Sequence, residues 1–261
     1  FFWSNWSDQH WNSSMVDRMV DEFKVEIVRA AYGVNDGGAP HGGSYEDQVD
    51  RIVNAAVDRG IYVIIDWHTH GAQYNVGAAK DFFGRMAQKY GHYDNVIFEI
   101  YNEPLQVPWG EVKGYAEQVI PIIRSHSDNL IVVGTPTWSQ DVDKAANNPI
   151  NAHNIAYTLH FYAGTHGQYL RDKGNYAMSK GLALFATEWG TVNANGDGGV
   201  NYGGTEEWLN WMDQNKISWC NWSIHDKNEG ASIFNPGGSL SESGKYLKDI
   251  LHGSAPYAPW R

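Results

Sequence analysis

Cysteine is almost missing from this chain of 261 residues: Cys220 stands alone, which excludes any internal disulfide and leaves export unreadable from thiols. Long apolar runs are missing as well. None approaches the ~20 residues that a membrane-spanning helix needs, so no membrane span is expected. Positive charge is scarce, with 19 Lys and Arg against 30 Asp and Glu and a formal net charge of -11. Nucleic acid is thereby disfavoured as a partner, because neutralising phosphates takes clustered Lys and Arg. No interior Pro/Ser-rich linker, repeat or low-complexity stretch interrupts the chain, which points to one catalytic-sized domain over residues 1–261 with no appended binding module. The chain opens at Phe1 without the basic-then-apolar layout of a signal peptide, so a processed or trimmed N-terminus is expected. The glycosylation-type tripeptides at Asn5, Asn12 and Asn221 are too short a pattern to carry weight.

Aromatics, by contrast, are abundant: 12 Trp and 15 Tyr. Half belong to an ordinary core, but Trp at strand ends and in loops forms the flat apolar platforms on which sugar rings stack. Short β-branched or aromatic runs alternate with longer amphipathic stretches, which is how a parallel sheet with crossover helices reads. Strands are expected at 25–32, 62–68, 96–103, 130–135, 155–162, 182–190 and 217–225. Helices are expected at 13–23, 45–59, 77–90, 109–126, 167–180, 205–215 and 242–251. Several strands, VIFEI and LIVVG among them, are apolar nearly throughout, as strands covered on both faces must be. Residues 44–47 (Ser-Tyr-Glu-Asp) open the second helix with a cap and early acids, and Gly60 closes it. Seven strands are visible, and Phe1–Ser4 supplies the tail of an eighth. The fold class is therefore α/β, a (β/α)8 TIM barrel whose first strand is truncated at the N-terminus.

Polar residues gather at the C-terminal ends of these strands, the face on which barrel enzymes build their sites. In chain order they are Arg29, His68 with His70, Asn102 with Glu103, Trp138, His160 with Tyr162, Glu188 with Trp189, and Trp222 with His225. A carboxylate on a buried strand is costly without a partner. Structural ion pairs could supply one for a lone Glu, but two on one barrel mouth, beside Arg, His, Tyr and Asn, favour chemistry. IYNEP sets the Asn102 amide beside the Glu103 carboxyl, and ATEWG releases Glu188 just before Gly190 permits a turn.

These motifs carry a resemblance. Through IVRAAYG, VIIDWHTH, IFEIYNEP, GTPTWSQDV, YTLHFYAG, FATEWG and WCNWSIHDKNEG, nearly the whole chain resembles glycoside hydrolase family 5, and most of all its bacterial-type endoglucanases (cellulases). The resemblance implies Glu103 as acid/base and Glu188 as nucleophile of a retaining, endo-acting β-1,4-glucan hydrolase. Arg29, His68, Asn102, His160, Tyr162 and Trp222 would complete the site, and Trp3 sits where the family places a stacking platform. It also implies a secreted enzyme acting on β-glucan polysaccharide or oligosaccharide as a monomer, without cofactor or metal.

The physics agrees. Retention needs two carboxyls ~5–5.5 Å apart with separated pKa values. Arg29 would favour ionised Glu188 and Tyr162 would orient it, while an aromatic surround and the negative charge of Glu188 would keep Glu103 protonated. Asn102 suits the sugar 2-hydroxyl, and His68 and His160 suit ring hydroxyls or Glu103. Trp222 and Trp3 would stack on the glycone side and Trp138 on the leaving-group side; Lys227 and Glu229 would bond more distant hydroxyls. Rival readings are a metal hydrolase built on His68, His70 and His160, a catalytically silent carbohydrate-binding barrel, and, among enzymes, an endo-β-1,4-mannanase or a mixed-linkage glucanase.

Overall fold

The computed structural model describes residues 1–2, 8–34 and 44–253. Its strands, in chain order, are β1 (Ile27–Gly33), β2 (Tyr62–His68), β3 (Val96–Glu99), β4 (Ile131–Val133), β5 (Ile155–Thr158), β6 (Phe161–Tyr162), β7 (Leu184–Gly190) and β8 (Trp219–Asn221). Every ladder between them is parallel, and the order runs β1-β2-β3-β4-β5-β7-β8 around the ring. β5 and β6 are two halves of one stave: both lie beside β7, the first against Leu184 and Phe185, the second against Trp189 and Gly190. The break falls at Leu159 and His160. Phe2 bridges Ala30 of β1 and Ile224 just past β8, so it closes the ring at the place where a further strand is expected. The architecture is the (β/α)8 barrel.

The helices follow from apolar spacing and from caps. In the helix Ser13–Phe23, Asn12 accepts from the Met15 amide at 2.9 Å, and Val16, Met19 and Phe23 fall on one buried face. Each such side chain contributes roughly 1.5–3 kcal/mol through burial. Gly60 ends the helix Ser44–Arg59 with φ +66°, a conformation that costs glycine little. Two departures from the expected elements have local causes. The helix expected from Thr205 begins at Tyr202, because Asn201 accepts from the Gly204 amide and caps a first turn whose two glycines read as loop. The helix Val142–Ala146 is too short to show a period, although Val142, Ala145 and Ala146 are buried.

The barrel interior is layered. Toward the N-terminal ends of the strands, Ile64, Ile97, Val132, Ala156, Phe185 and Cys220 form an apolar cluster with Ile27 and Leu130 against it. Two residues further along five of these strands the same inward face turns polar: Ile27 gives way to Arg29, Ile64 to Asp66, Ile97 to Glu99, Ala156 to Thr158 and Phe185 to Thr187. Side chains two apart share a face, so the strands carry one layer directly above the other. An apolar cavity of about 880 Å³ opens at the lower end, lined by Ile27, Ile97, Phe185 and Cys220 among others. Among the described residues, none of the predicted site residues lines it. The polar groups collect at the opposite end.

Candidate active site

Arg29 is the organising charge. It is wholly buried, and its guanidinium meets Glu99 through Nε at 2.7 Å, Glu188 through Nη1 at 3.2 Å, and both Asn102 at 2.7 Å and Asp66 at 3.0 Å through Nη2. Burial alone would lower its pKa, but the carboxylates of Asp66, Glu99 and Glu188 outweigh that and hold it above its ordinary range. The Phe1 ring lies 4.3 Å from the same guanidinium. The fork thus fixes four acceptors in place at once, a task suited to a rigid planar cation.

Glu188 reaches this group because β7 bulges. The ladder to β8 slips between Ala186 and Trp189, both of which belong to the outer core, so Thr187 and Glu188 can both face inward. Strict alternation would have put Glu188 on the Ala186 side. Its two oxygens each receive one donor: Tyr162 Oη donates to Oε1 at 2.8 Å, and Arg29 to Oε2. Together the two donors hold the carboxylate in one orientation.

Glu103 is set differently. His160 Nδ1 lies 2.8 Å from Oε1, and His70 Nδ1 lies 3.8 Å from Oε2 and 2.9 Å from the Glu103 carbonyl oxygen. Burial pushes this acid up to about 7, against the weaker opposing pull of His70 and Arg29. Burial, rather than the negative charge of Glu188, is therefore the first cause. The side chain nonetheless keeps 14% of its surface exposed, enough to meet a ligand. A carboxylate oxygen of Glu103, one of Glu188 and a ring nitrogen of His160 all lie within 4.8 Å of one another. That spacing matches the short carboxyl separation of retaining glycosidases and is well under the ~6.5–9.5 Å that seats a water in inverting ones.

The remaining predicted residues divide. His160 occupies the break between β5 and β6, its Nε2 2.8 Å from Thr187 Oγ1, and burial lowers it to about 3, so the ring is neutral. Asn102 gives its oxygen to Arg29 and leaves its amide nitrogen 3.4 Å from His68 Nε2, which fixes the amide orientation. His68 in turn is held by Asp66 at 2.7 Å and stacks on Trp222 at 6.1 Å. Trp222 also packs on Phe1 at 4.5 Å. Trp138 is 41% exposed on a left-handed turn spanning Thr137 to Ser139, and its amide donates to the Pro104 carbonyl, the residue after Glu103. Glu229 pairs with Lys227 at 2.5 Å and with His225 at 2.9 Å, and His225 lies edge-on to Trp222 at 6.2 Å, so this pair forms a second rank beyond Trp222. Trp3 lies outside the described residues. Asn221 donates to the Trp189 carbonyl and is buried, which removes it as a glycosylation acceptor.

Three polar residues of this cluster were not anticipated: Asp66, Glu99 and Thr187. For Asp66 and Glu99 the signal was available, since each is a charge inside an apolar strand two residues above an inward Ile, whereas Thr187 joins Glu188 only through the register slip in β7. The metal reading fares otherwise. Among the described residues the imidazole and carboxylate donors that gather are Glu103, His160 and Glu188, not His68, His70 and His160, and His160 has both ring nitrogens engaged.

Comparison with known proteins points one way. The model of the family described as Cellulase (glycosyl hydrolase family 5) matches residues 2–228. The chain is 52% identical over 266 residues to Endoglucanase Z of Dickeya dadantii, covering 98% of this chain and 62% of that protein. To Endoglucanase A of Evansella cellulosilytica it is 42% identical over 270 residues, covering 97% and 55%. The chain thus spans little more than half the length of these relatives. Among solved structures, a protein from Cytophaga hutchinsonii superposes with a TM-score of 0.94 at 47% identity, covering 98% of this chain and 88% of that one. The catalytic domain of Thermobifida fusca endoglucanase Cel5A, in a variant form in complex with cellotetraose, superposes with a TM-score of 0.88 at 32% identity, covering 94% and 87%.

Proposed function

Since the chain belongs to the cellulase family, glycosyl hydrolase family 5, we propose that it hydrolyses β-1,4-glucan chains from within, with retention, through Glu103 and Glu188. One observation carries the mechanism: two carboxyls with oxygens within 4.8 Å, one receiving donors on both oxygens and one pushed up to about 7 by burial. In the first step Glu188 attacks the anomeric carbon while Glu103 gives its proton to the leaving oxygen. In the second, ionised Glu103 draws a proton from water, whose oxygen attacks the same carbon and releases Glu188.

Asn102, its oxygen fixed by Arg29, turns its N–H₂ toward the sugar 2-hydroxyl, a bond that strengthens as the oxocarbenium-like state forms. Trp222, with His68 beneath it, is the platform for the glycone ring, Lys227 and Glu229 serve hydroxyls beyond it, and exposed Trp138 beside Pro104 serves the leaving-group side. Trp3 is assigned to the glycone side by family resemblance. Glucan is the chosen substrate because the relatives named above are endoglucanases and one binds cellotetraose. All of these groups come from one chain acting as a single catalytic domain and a monomer. Cellulose is an insoluble polymer, so the place of action is extracellular.

The test is hydrolysis of carboxymethylcellulose, mannan and mixed-linkage glucan by the wild type and by Glu188→Ala. The expected outcome is turnover fastest on the cellulose derivative and a loss of at least about 10⁴-fold in the variant. Equal rates in the two proteins would remove the mechanism, and faster turnover of mannan would transfer the activity to a mannanase. Proton NMR of the first product, with the β-anomer appearing before mutarotation, checks retention.

A further inference from the structure

Glu103 does not end its hydrogen bonding at His160. From Glu103 Oε1 the contacts run to His160 Nδ1 at 2.8 Å, from His160 Nε2 to Thr187 Oγ1 at 2.8 Å, and from Thr187 Oγ1 to Glu99 Oε1 at 2.6 Å. His160, Thr187 and Glu99 are buried, and Glu99 is anchored at its other oxygen by Arg29 at 2.7 Å. A second acid, one the reaction does not itself require, therefore stands three hydrogen bonds away from the acid/base.

Proton counting along this row leaves few arrangements. Thr187 has one hydroxyl proton and a neutral imidazole has one N–H. When Glu99 is ionised, Thr187 donates to it and can only accept from His160, so His160 carries its proton on Nε2. Nδ1 is then a bare lone pair, and its partner Glu103 must supply the proton. When Glu99 is protonated the row reverses: Glu99 donates to Thr187, Thr187 to Nε2, and Nδ1–H to Glu103, which is then better off ionised. Passing from the first arrangement to the second moves one proton from Glu103 to Nδ1, one from Nε2 to Thr187 and one from Thr187 to Glu99, with no net change in charge or atoms.

We propose that Glu99 and Thr187 are positioning residues of this relay: through the ring tautomer of His160, the charge on Glu99 sets how firmly Glu103 holds its proton. The inference rests on the assignment of Glu103 as acid/base. The surroundings are suited to such an exchange. Glu99 faces Arg29 and Asp66, His160 faces Glu188, Arg29, Glu99 and His68, and Glu103 faces His70 and Arg29. Burial pushes Glu99 and Glu103 alike up to about 7, so the two arrangements lie close enough in energy for one substitution to turn the row from the first, with Glu103 protonated, to the second.

Two variants push the row the same way. In Thr187→Val the Nε2 side becomes apolar, an unpaired N–H there is costly, and the ring turns to the Nδ1–H tautomer. In Glu99→Gln the single amide oxygen is taken by Arg29, so the amide N–H₂ donates to Thr187 and imitates protonated Glu99. Both hand a donor to Glu103 and favour its ionised form. The alkaline limb of kcat/KM on a soluble cello-oligosaccharide is expected to move down by about one pH unit in each, while Thr187→Ser keeps it at the wild-type position. An aryl β-cellobioside with a good leaving group, whose first step needs no proton, is expected to keep its rate. The ¹⁵N signals of the His160 ring are expected to show Nδ1 unprotonated in the wild type and Nε2 unprotonated in Thr187→Val. A limb that stays in place in both variants, or moves equally in Thr187→Ser, overturns the relay, as does an unprotonated Nε2 in the wild type. If Glu99→Gln does not fold, the Val and Ser pair decides. A wild type that leaves cello-oligosaccharides intact would instead sink the glycosidase reading, and the ¹⁵N measurement still judges the relay alone.

Discussion

The lower and upper layers of the barrel interior stand on the same strands, two residues apart, and are built from opposite materials. Below, Ile64, Ile97, Val132, Ala156, Phe185 and Cys220 fill space with hydrocarbon. Above, Arg29, Asp66, Glu99 and Glu188 form an ionic cluster in which one cation faces three carboxylates. The lower layer gains by leaving water. The upper layer loses by it, and is held because each of its charges is bonded to the next. The contrast separates the two tasks of the strands: their first halves stabilise the barrel, and their last residues aim groups at a ligand, with stability given up to keep them aimed.

The sharpest way to break this contrast is to remove one member of each layer. Arg29→Met leaves Asp66 and Glu99 buried without their cation, and the expected loss is about 3–5 kcal/mol in denaturant unfolding at pH 7. It also removes a donor from Glu188, with a fall in kcat of about 10²–10³-fold. The stability loss is expected to shrink at pH 5, where Asp66 and Glu99, both pushed up to about 7 by burial in the wild type, take up protons. Ile97→Ala is expected to cost about 2–5 kcal/mol by cavity formation while kcat/KM on the folded protein stays near wild type. Should Arg29→Met lose activity but no stability, the upper layer is not an ionic scaffold and the contrast fails.

A gentler probe uses pH. Glu103 is raised from 4.5 to about 7 on folding, so the native state binds its proton more firmly than the unfolded chain does. Its contribution is fully present below the unfolded value and is lost as pH rises through the folded one. Glu103→Gln lacks that loss. Unfolding free energies of the two proteins should therefore diverge in favour of the variant between pH 4.5 and about 7, by at most about 3 kcal/mol, and run parallel above that. Parallel curves throughout would mean that the acid is not desolvated. In the wild type, kcat/KM should fall above pH about 7 as the same group ionises.

How far the two layers could be read in advance differs as well. The apolar runs, their parallel order and the rim positions of Glu103, Glu188, Arg29 and His160 were legible, because a barrel gathers the C-terminal ends of its strands at one face and this needs no knowledge of contacts. Asp66 and Glu99 were visible as charges inside VIIDWH and VIFEI, two residues above an inward Ile, but lone charges in apolar runs invite dismissal. Thr187 was hidden more deeply. Simple alternation cannot place Thr187 and Glu188 on one side, and only the slip in register between Ala186 and Trp189 does so. The closure through Phe2 depends on pairing across the whole chain, 28 residues to Ala30 and 222 to Ile224, which no local pattern encodes.

The loops at the two ends offer the smallest and most discriminating test. Below, single left-handed residues turn the chain into a strand: Lys24 before β1, Gly60 before β2, Asn154 before β5, Gly181 before β7 and Lys216 before β8. Above, Thr137, Trp138 and Ser139 take that conformation in succession, at φ 60°, 54° and 57°. A left-handed L-residue costs roughly 1–2 kcal/mol, which glycine avoids in part. Lys216→Gly is therefore expected to raise stability by up to about 1 kcal/mol and leave hydrolysis unchanged. Trp138→Gly should gain a similar amount yet raise KM for cello-oligosaccharides that extend past the cleaved bond, because the exposed indole is what the strained turn presents. If both variants leave KM alone, the strain at Trp138 serves only the turn itself, and the leaving-group side must be sought elsewhere on the rim.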